Sequence, residues 1–111
     1  MDLSKRKQKY FDLVMIDGTK LQIKKPNEQL IYDMEEFEKS LRNAAGVKNV
    51  FDGVKDMTLK IINRNTANKI YDALLFMEQD VDSEYLYDYD VCMSIFREYS
   101  KFTQEVLSNP N

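Results

Sequence analysis

The chain has 111 residues, 43% hydrophobic and 32% charged, with a net charge of −3 and a sequence pI near 5.0. That length fits one folded domain, the apolar content argues against disorder over most of it, and the acidic balance removes any overall attraction to nucleic acid or anionic membrane. With no histidine and one cysteine, Cys92, an internal disulfide is excluded and no imidazole is present to activate a thiol, so Cys92 reads as a buried core residue.

No apolar run approaches the length of a membrane span, and the start, MDLSKRKQKY, has basic residues with no apolar segment behind them for a signal peptide. A cytoplasmic protein is the expectation. Charge is unevenly spread: Lys5, Arg6, Lys7 and Lys9 crowd the beginning, whereas Asp72, Glu78, Asp80, Asp82, Glu84, Asp88 and Asp90 follow one another with no basic residue between them.

Residues 1–9 lack periodicity and read as a flexible basic tail. From Tyr10, YFDLVMIDGTKLQIKK places two strand-like runs around Asp17-Gly18, the dipeptide that suits a two-residue type I′ turn, so a β-hairpin is expected over 10–25. Phe11, Leu13 and Met15 share one face of the first strand, and Leu21 and Ile23 alternate with Lys20, Gln22 and Lys24 on the second. That face needs cover, because two strands alone are marginal in water.

Pro26 ends the strand and Asn27 caps a helix over 27–45, whose stripe is Leu30, Met34, Phe37, Leu41 and Ala44. Glu35/Lys39 and Glu38/Arg42 should pair on its other face, and Gly46 should end it. Val50, Val54, Met57 and Ile61 mark a second helix over 48–62, weakened at Gly53. Asn63-Arg64-Asn65 breaks the pattern, and Thr66 reads as the cap of a third helix over 67–79 through Ile70, Leu74 and Met77. The last helix, 84–108, carries Tyr85, Tyr89, Cys92, Phe96, Tyr99, Thr103 and Val106 at steps of three and four. The predicted fold is α+β and mainly α: one domain over 10–111 with an N-terminal hairpin on about four helices, the last one long.

Catalysis finds no support. There is no phosphate-cradling glycine motif, no cysteine pair and no histidine, so no enzyme, cofactor or metal site is expected. Asp80-x-Asp82-x-Glu84 begins like a calcium loop, but Tyr85 stands where the turn glycine belongs and Val91 where the bidentate Glu belongs, so it reads as an acidic linker. The aromatic stripe of the last helix reads first as core, and second as an interface, since tyrosines are enriched where one side is apolar and the other wet.

The order of basic tail, hairpin with DGT at the turn, IKKPN leading into an amphipathic helix, and a final YDYDVCMSIFREYSKFTQEVLSNPN resembles the tail assembly chaperones of long-tailed bacteriophages and the prophages derived from them. The resemblance runs from Tyr10 to the end of the chain. It implies a chaperone in the host cell cytoplasm that binds the tape measure protein, a very long helical chain, keeps it soluble and helps recruit tail tube protein subunits. Self-association is expected as well, because many copies would act along one client.

The family offers no motif residues, so candidate binding residues come from periodicity: Tyr85, Tyr89, Phe96 and Tyr99, with Leu74, Leu75 and Phe76 behind them. The alternative, from a different class, is a small regulatory nucleic-acid binder using the basic tail beside Tyr10 and Phe11; the acidic body argues against it.

Overall fold

A computed structural model of the chain describes residues 1–5, 8–15, 18–43, 46–71 and 86–108. Over these, the order is a 3-10 turn at Leu3–Lys5, β1 (Phe11–Val14), β2 (Lys20–Ile23), α1 (Glu28–Arg42), α2 (Val47–Ile62) and α3 (Leu86–Ser108). The class is α+β and mainly helical, with three α-helices among the described residues where four were expected. In the 3-10 turn at the start, Asp2 Oδ1 accepts from the Ser4 backbone N–H at 3.0 Å and from the Ser4 hydroxyl.

The hairpin is antiparallel, with Phe11 opposite Ile23, Leu13 opposite Leu21 and Val14 opposite Lys20. Its end differs from the two-residue turn expected. Met15 N–H donates to Thr19 O at 2.7 Å and Gly18 N–H to Met15 O at 2.9 Å, so three residues, 16 to 18, close the ladder. Gly18, at φ +88°, holds a left-handed position that a side chain would disfavour, and residues 16 and 17 lie outside the described residues. The faces fall as their alternation requires: Met15, Leu21 and Ile23 are buried, Phe11 and Leu13 half-buried, and Asp12, Val14, Lys20 and Gln22 exposed.

Asn27 caps α1 by accepting from Leu30 N–H at 2.8 Å, and Leu30, Met34 and Phe37 form its buried stripe. The helix stops at Arg42, with Asn43 as C-cap; Gly46, at φ +93°, introduces α2 rather than closing α1. Arg42 pairs with Glu38 at 3.9 Å, whereas Lys39 takes Glu36 at 3.3 Å, one turn position away from the Glu35 expected. Both pairs are solvent-exposed and contribute little.

On α2, Gly53 has a packing role that offsets its helix cost. A Cβ there would lie 3.2 Å from the Phe37 ring, and that ring meets Phe96 edge-on with centroids 4.9 Å apart. Glycine lets α1 and α2 approach closely enough for Phe37 to reach α3. Val54, Met57, Ile61 and Ile62 join Ile23, Cys92, Met93, Ile95, Phe96 and Tyr99 in a core shared by hairpin and helices.

Thr66 caps no helix: residues 66–71 are turn and irregular chain, and 72–79, the rest of the predicted third helix, lie outside the described residues. The cause is local competition for the backbone. Thr66 N–H donates to Gln22 O (2.8 Å) and Lys24 N–H to Arg64 O (3.1 Å), laying 64–66 along the outer edge of β2, where Asn65 bridges Ile23. Asn65, 2% exposed, donates through Nδ2 to Ile62 O and Lys69 O, at 3.0 and 2.7 Å, and accepts from Lys69 N–H. Asn68 sits at φ +55° and Asn63 Oδ1 accepts from Tyr71 N–H, so three asparagines organise the segment.

Candidate partner-binding site

Of the seven residues expected to bind a partner, three are described. Tyr89 is half-buried and meets Phe51 of α2 edge-on, centroids 4.9 Å apart. Phe96 is buried against Phe37, and Tyr99 is 0% exposed, with its ring against Phe11 (5.4 Å) and Phe102 (5.8 Å). Phe96 and Tyr99 are therefore packed within the core, held there by the hairpin and by α1. Tyr85, Leu74, Leu75 and Phe76 lie outside the described residues, as does the Asp80–Glu84 stretch.

Tyr99 also carries the main polar tie of the core. Its hydroxyl donates to Lys24 O at 2.6 Å, while Arg64 Nε and Nη2 donate to Lys25 O at 2.9 and 2.6 Å. The carbonyls on the β2–α1 connection are thus gripped from α3 and from the segment after α2. Burial pushes the Tyr99 phenol well above its ordinary pKa of 10.0, against the opposing pull of the Arg64 guanidinium.

Among the described residues two grooves between elements stand out, and neither was visible as a site in the sequence. The first, about 210 Å³, lies between α1 and α3 and is lined by Ile31, Met34, Glu35 and Glu38 on one side and Ser100, Thr103, Gln104 and Leu107 on the other. Leu107 is 65% exposed, and the Ser100 hydroxyl is buried with no hydrogen-bond partner among the described residues. The second, about 260 Å³, lies between β1 and the first half of α3, lined by Leu13, Val14, Met15, Asp90, Val91, Ser94 and Ile95. Both had a faint sequence signal. Ile31 widens the α1 stripe beyond its four-three spacing, Leu107 follows Val106, and Val14 is an apolar residue at an outward strand position.

A third depression, about 220 Å³, carries the charged side chains of Asp33, Lys60 and Arg64 in its lining. Lys60 bridges α1 and α2 through Asp33 (3.3 Å) and pairs with Asp56 (3.1 Å). Partial burial works against its charge, but those two carboxylates more than restore it and hold its pKa above the ordinary value. Its cation is already paired and the depression reads as a surface ion-pair network. Among the described residues no cluster of three His, Cys, Asp or Glu side chains could hold a metal ion, and no helix is long and apolar enough to cross a membrane.

Comparison with protein-family models, curated proteins and solved structures gave no match.

Proposed function

We propose that this protein is a non-enzymatic tail assembly chaperone of a phage or prophage, working in the host cytoplasm by binding the helical tape measure protein and helping to recruit tail tube subunits. The reading rests on the resemblance along the chain from Tyr10. The structural observation that supports it is the α1–α3 groove, which has the character a helical client needs. Ile31, Met34 and Leu107 offer an apolar floor, and Glu35 and Glu38 an acidic rim. A groove between two helices accepts the apolar stripe of a third, and the rim favours a client helix flanked by Lys or Arg.

The test is co-expression with a phage tape measure protein. The wild type is expected to bring that client into the soluble fraction and to co-purify with it. Ile31→Asp and Leu107→Asp are expected to lose the client while retaining helical circular dichroism, and deletion of residues 1–9 to have little effect. A client that stays insoluble with the wild type, or that is held equally well by both groove variants, would overturn the proposal.

A further inference from the structure

The two walls of the α1–α3 groove differ in charge. On α1, Glu35 and Glu38 stand one helical turn apart, Glu35 exposed and Glu38 half-buried. Glu35 makes no ion pair among the described residues, and Glu38 has Arg42 at 3.9 Å, a long and solvent-exposed contact that leaves most of its charge unanswered. The α3 residues that line the facing wall, Ser100, Thr103 and Gln104 beside Leu107, are all uncharged, and the Thr103 hydroxyl is engaged within its own helix, donating to Tyr99 O at 2.8 Å. The groove is therefore acidic along one side and neutral along the other.

We propose that this one-sided charge makes the groove directional: it takes a client helix one way round, chosen by Lys or Arg residues along a single flank of the client. A helix lying in the groove turns its apolar stripe to the floor, one flank to α1 and the other to α3. Turning it end for end keeps the stripe on the floor and exchanges the flanks. A client that is basic on one flank meets Glu35 and Glu38 in one direction. In the other direction the same cations face Ser100, Thr103 and Gln104, where no carboxylate receives them. Two cations three or four positions apart on the client match the spacing of the two glutamates. The inference rests on the client reading for its occupant, and adds to it which flank of the client is read and which way the client lies.

Two synthetic peptides of about four helical turns, with the same Leu stripe and no phage sequence, test it. In one, Lys follows the stripe residues by one position, and in the other it precedes them by one, so the cations lie on opposite flanks. With a nitroxide at each peptide's N-terminus, paramagnetic broadening of the protein's amides is expected at opposite ends of α1, near Glu28 with one peptide and near Arg42 with the other. Both are expected to bind about three- to tenfold more tightly at low salt than a peptide with Glu in place of Lys. The double variant Glu35→Gln, Glu38→Gln is expected to erase that preference, and Glu36→Gln, outside the groove lining, to keep it. Broadening at the same end with both peptides, a preference that survives the double variant, or no binding of either Lys peptide would overturn the proposal. The co-expression assay above reads the chaperone function apart from this. A tape measure protein held by the wild type and lost in Ile31→Asp, beside peptides that ignore the glutamates, defeats the directional reading alone; peptides that behave as expected, beside a tape measure protein that is not held, defeat the chaperone reading alone.

Discussion

The hydroxyl of Tyr99 and the carbonyl of Lys24, 75 positions apart in sequence, are joined by a 2.6 Å hydrogen bond across the core. Tyr99→Phe keeps the ring against Phe11 and Phe102 but leaves the Lys24 carbonyl without this donor. Chemical denaturation should show a loss of about 1–3 kcal/mol, the usual cost of orphaning a buried polar group.

The same bond predicts a pH dependence. Burial first, despite the nearby Arg64, raises the folded-state pKa of Tyr99 above 10.0, so the native state holds the phenolic proton more tightly than the unfolded chain. Its contribution is fully present below pH 10.0 and is lost as pH rises from there through the folded-state pKa. Urea midpoints measured on either side of that value should fall more steeply in the wild type than in Tyr99→Phe. Parallel curves for the two proteins would contradict the assignment.

At Gly53 two effects compete. Gly53→Ala gains about 1 kcal/mol of helix propensity, and it pushes a methyl towards a ring only 3.2 Å away. Because Phe37 is itself seated on Phe96, the ring has little room to give, and the substitution should come out within about 1 kcal/mol of neutral, with Gly53→Val destabilising by about 1–3 kcal/mol. In a Phe37→Leu background, thermal denaturation should show Gly53→Ala turning more favourable, a coupling that independent sites would not produce.

Asn65 predicts the largest loss at a polar position. Asn65→Ala abandons the carbonyls of Ile62 and Lys69 and should cost about 2–4 kcal/mol. Asn65→Asp should be worse, because it points an acceptor at two acceptors. Hydrogen exchange should report faster exchange of the Thr66 and Lys24 amides in both variants, since the strip along β2 depends on this side chain.

Cys92 is 2% exposed, inside the core formed with Phe96 and Tyr99. Its reaction with a thiol reagent should be slow in the native protein, fast in denaturant, and limited under native conditions by unfolding rather than by reagent concentration. Rapid labelling of the folded protein would mean that α3 detaches locally.

The hairpin, α1, α2 and α3 were legible because their apolar residues keep a strict period, and for α1 the cap is explicit as well: Asn27 and its partner Leu30 are three apart, and Pro26 marks the break. Two kinds of feature escaped. The segment from Thr66 to Tyr71 has the stripe of a helix, but Asn65 and Asn68 offer backbone groups closer at hand than the next helical turn, and Thr66 is claimed by a strand far away in sequence. The aromatic stripe of α3 was read correctly as a face. Periodicity identifies an apolar face without saying what covers it, and Phe11 and Phe37 turn out to cover Tyr99 and Phe96. The grooves are defined by where that cover ends, which depends on how the elements cross.

The packing of Phe11 on Tyr99 and Phe102 also orders events during synthesis. The hairpin leaves the ribosome before the helix that shields its apolar face, which lies more than 60 residues further along the chain. At about 5–20 residues per second the nascent strands wait several seconds for it. Through that interval Phe11, Leu13 and Met15 are a sticky surface on an incomplete chain, flanked by the lysines and arginine of residues 5–9, whose like charges hold neighbouring nascent chains apart.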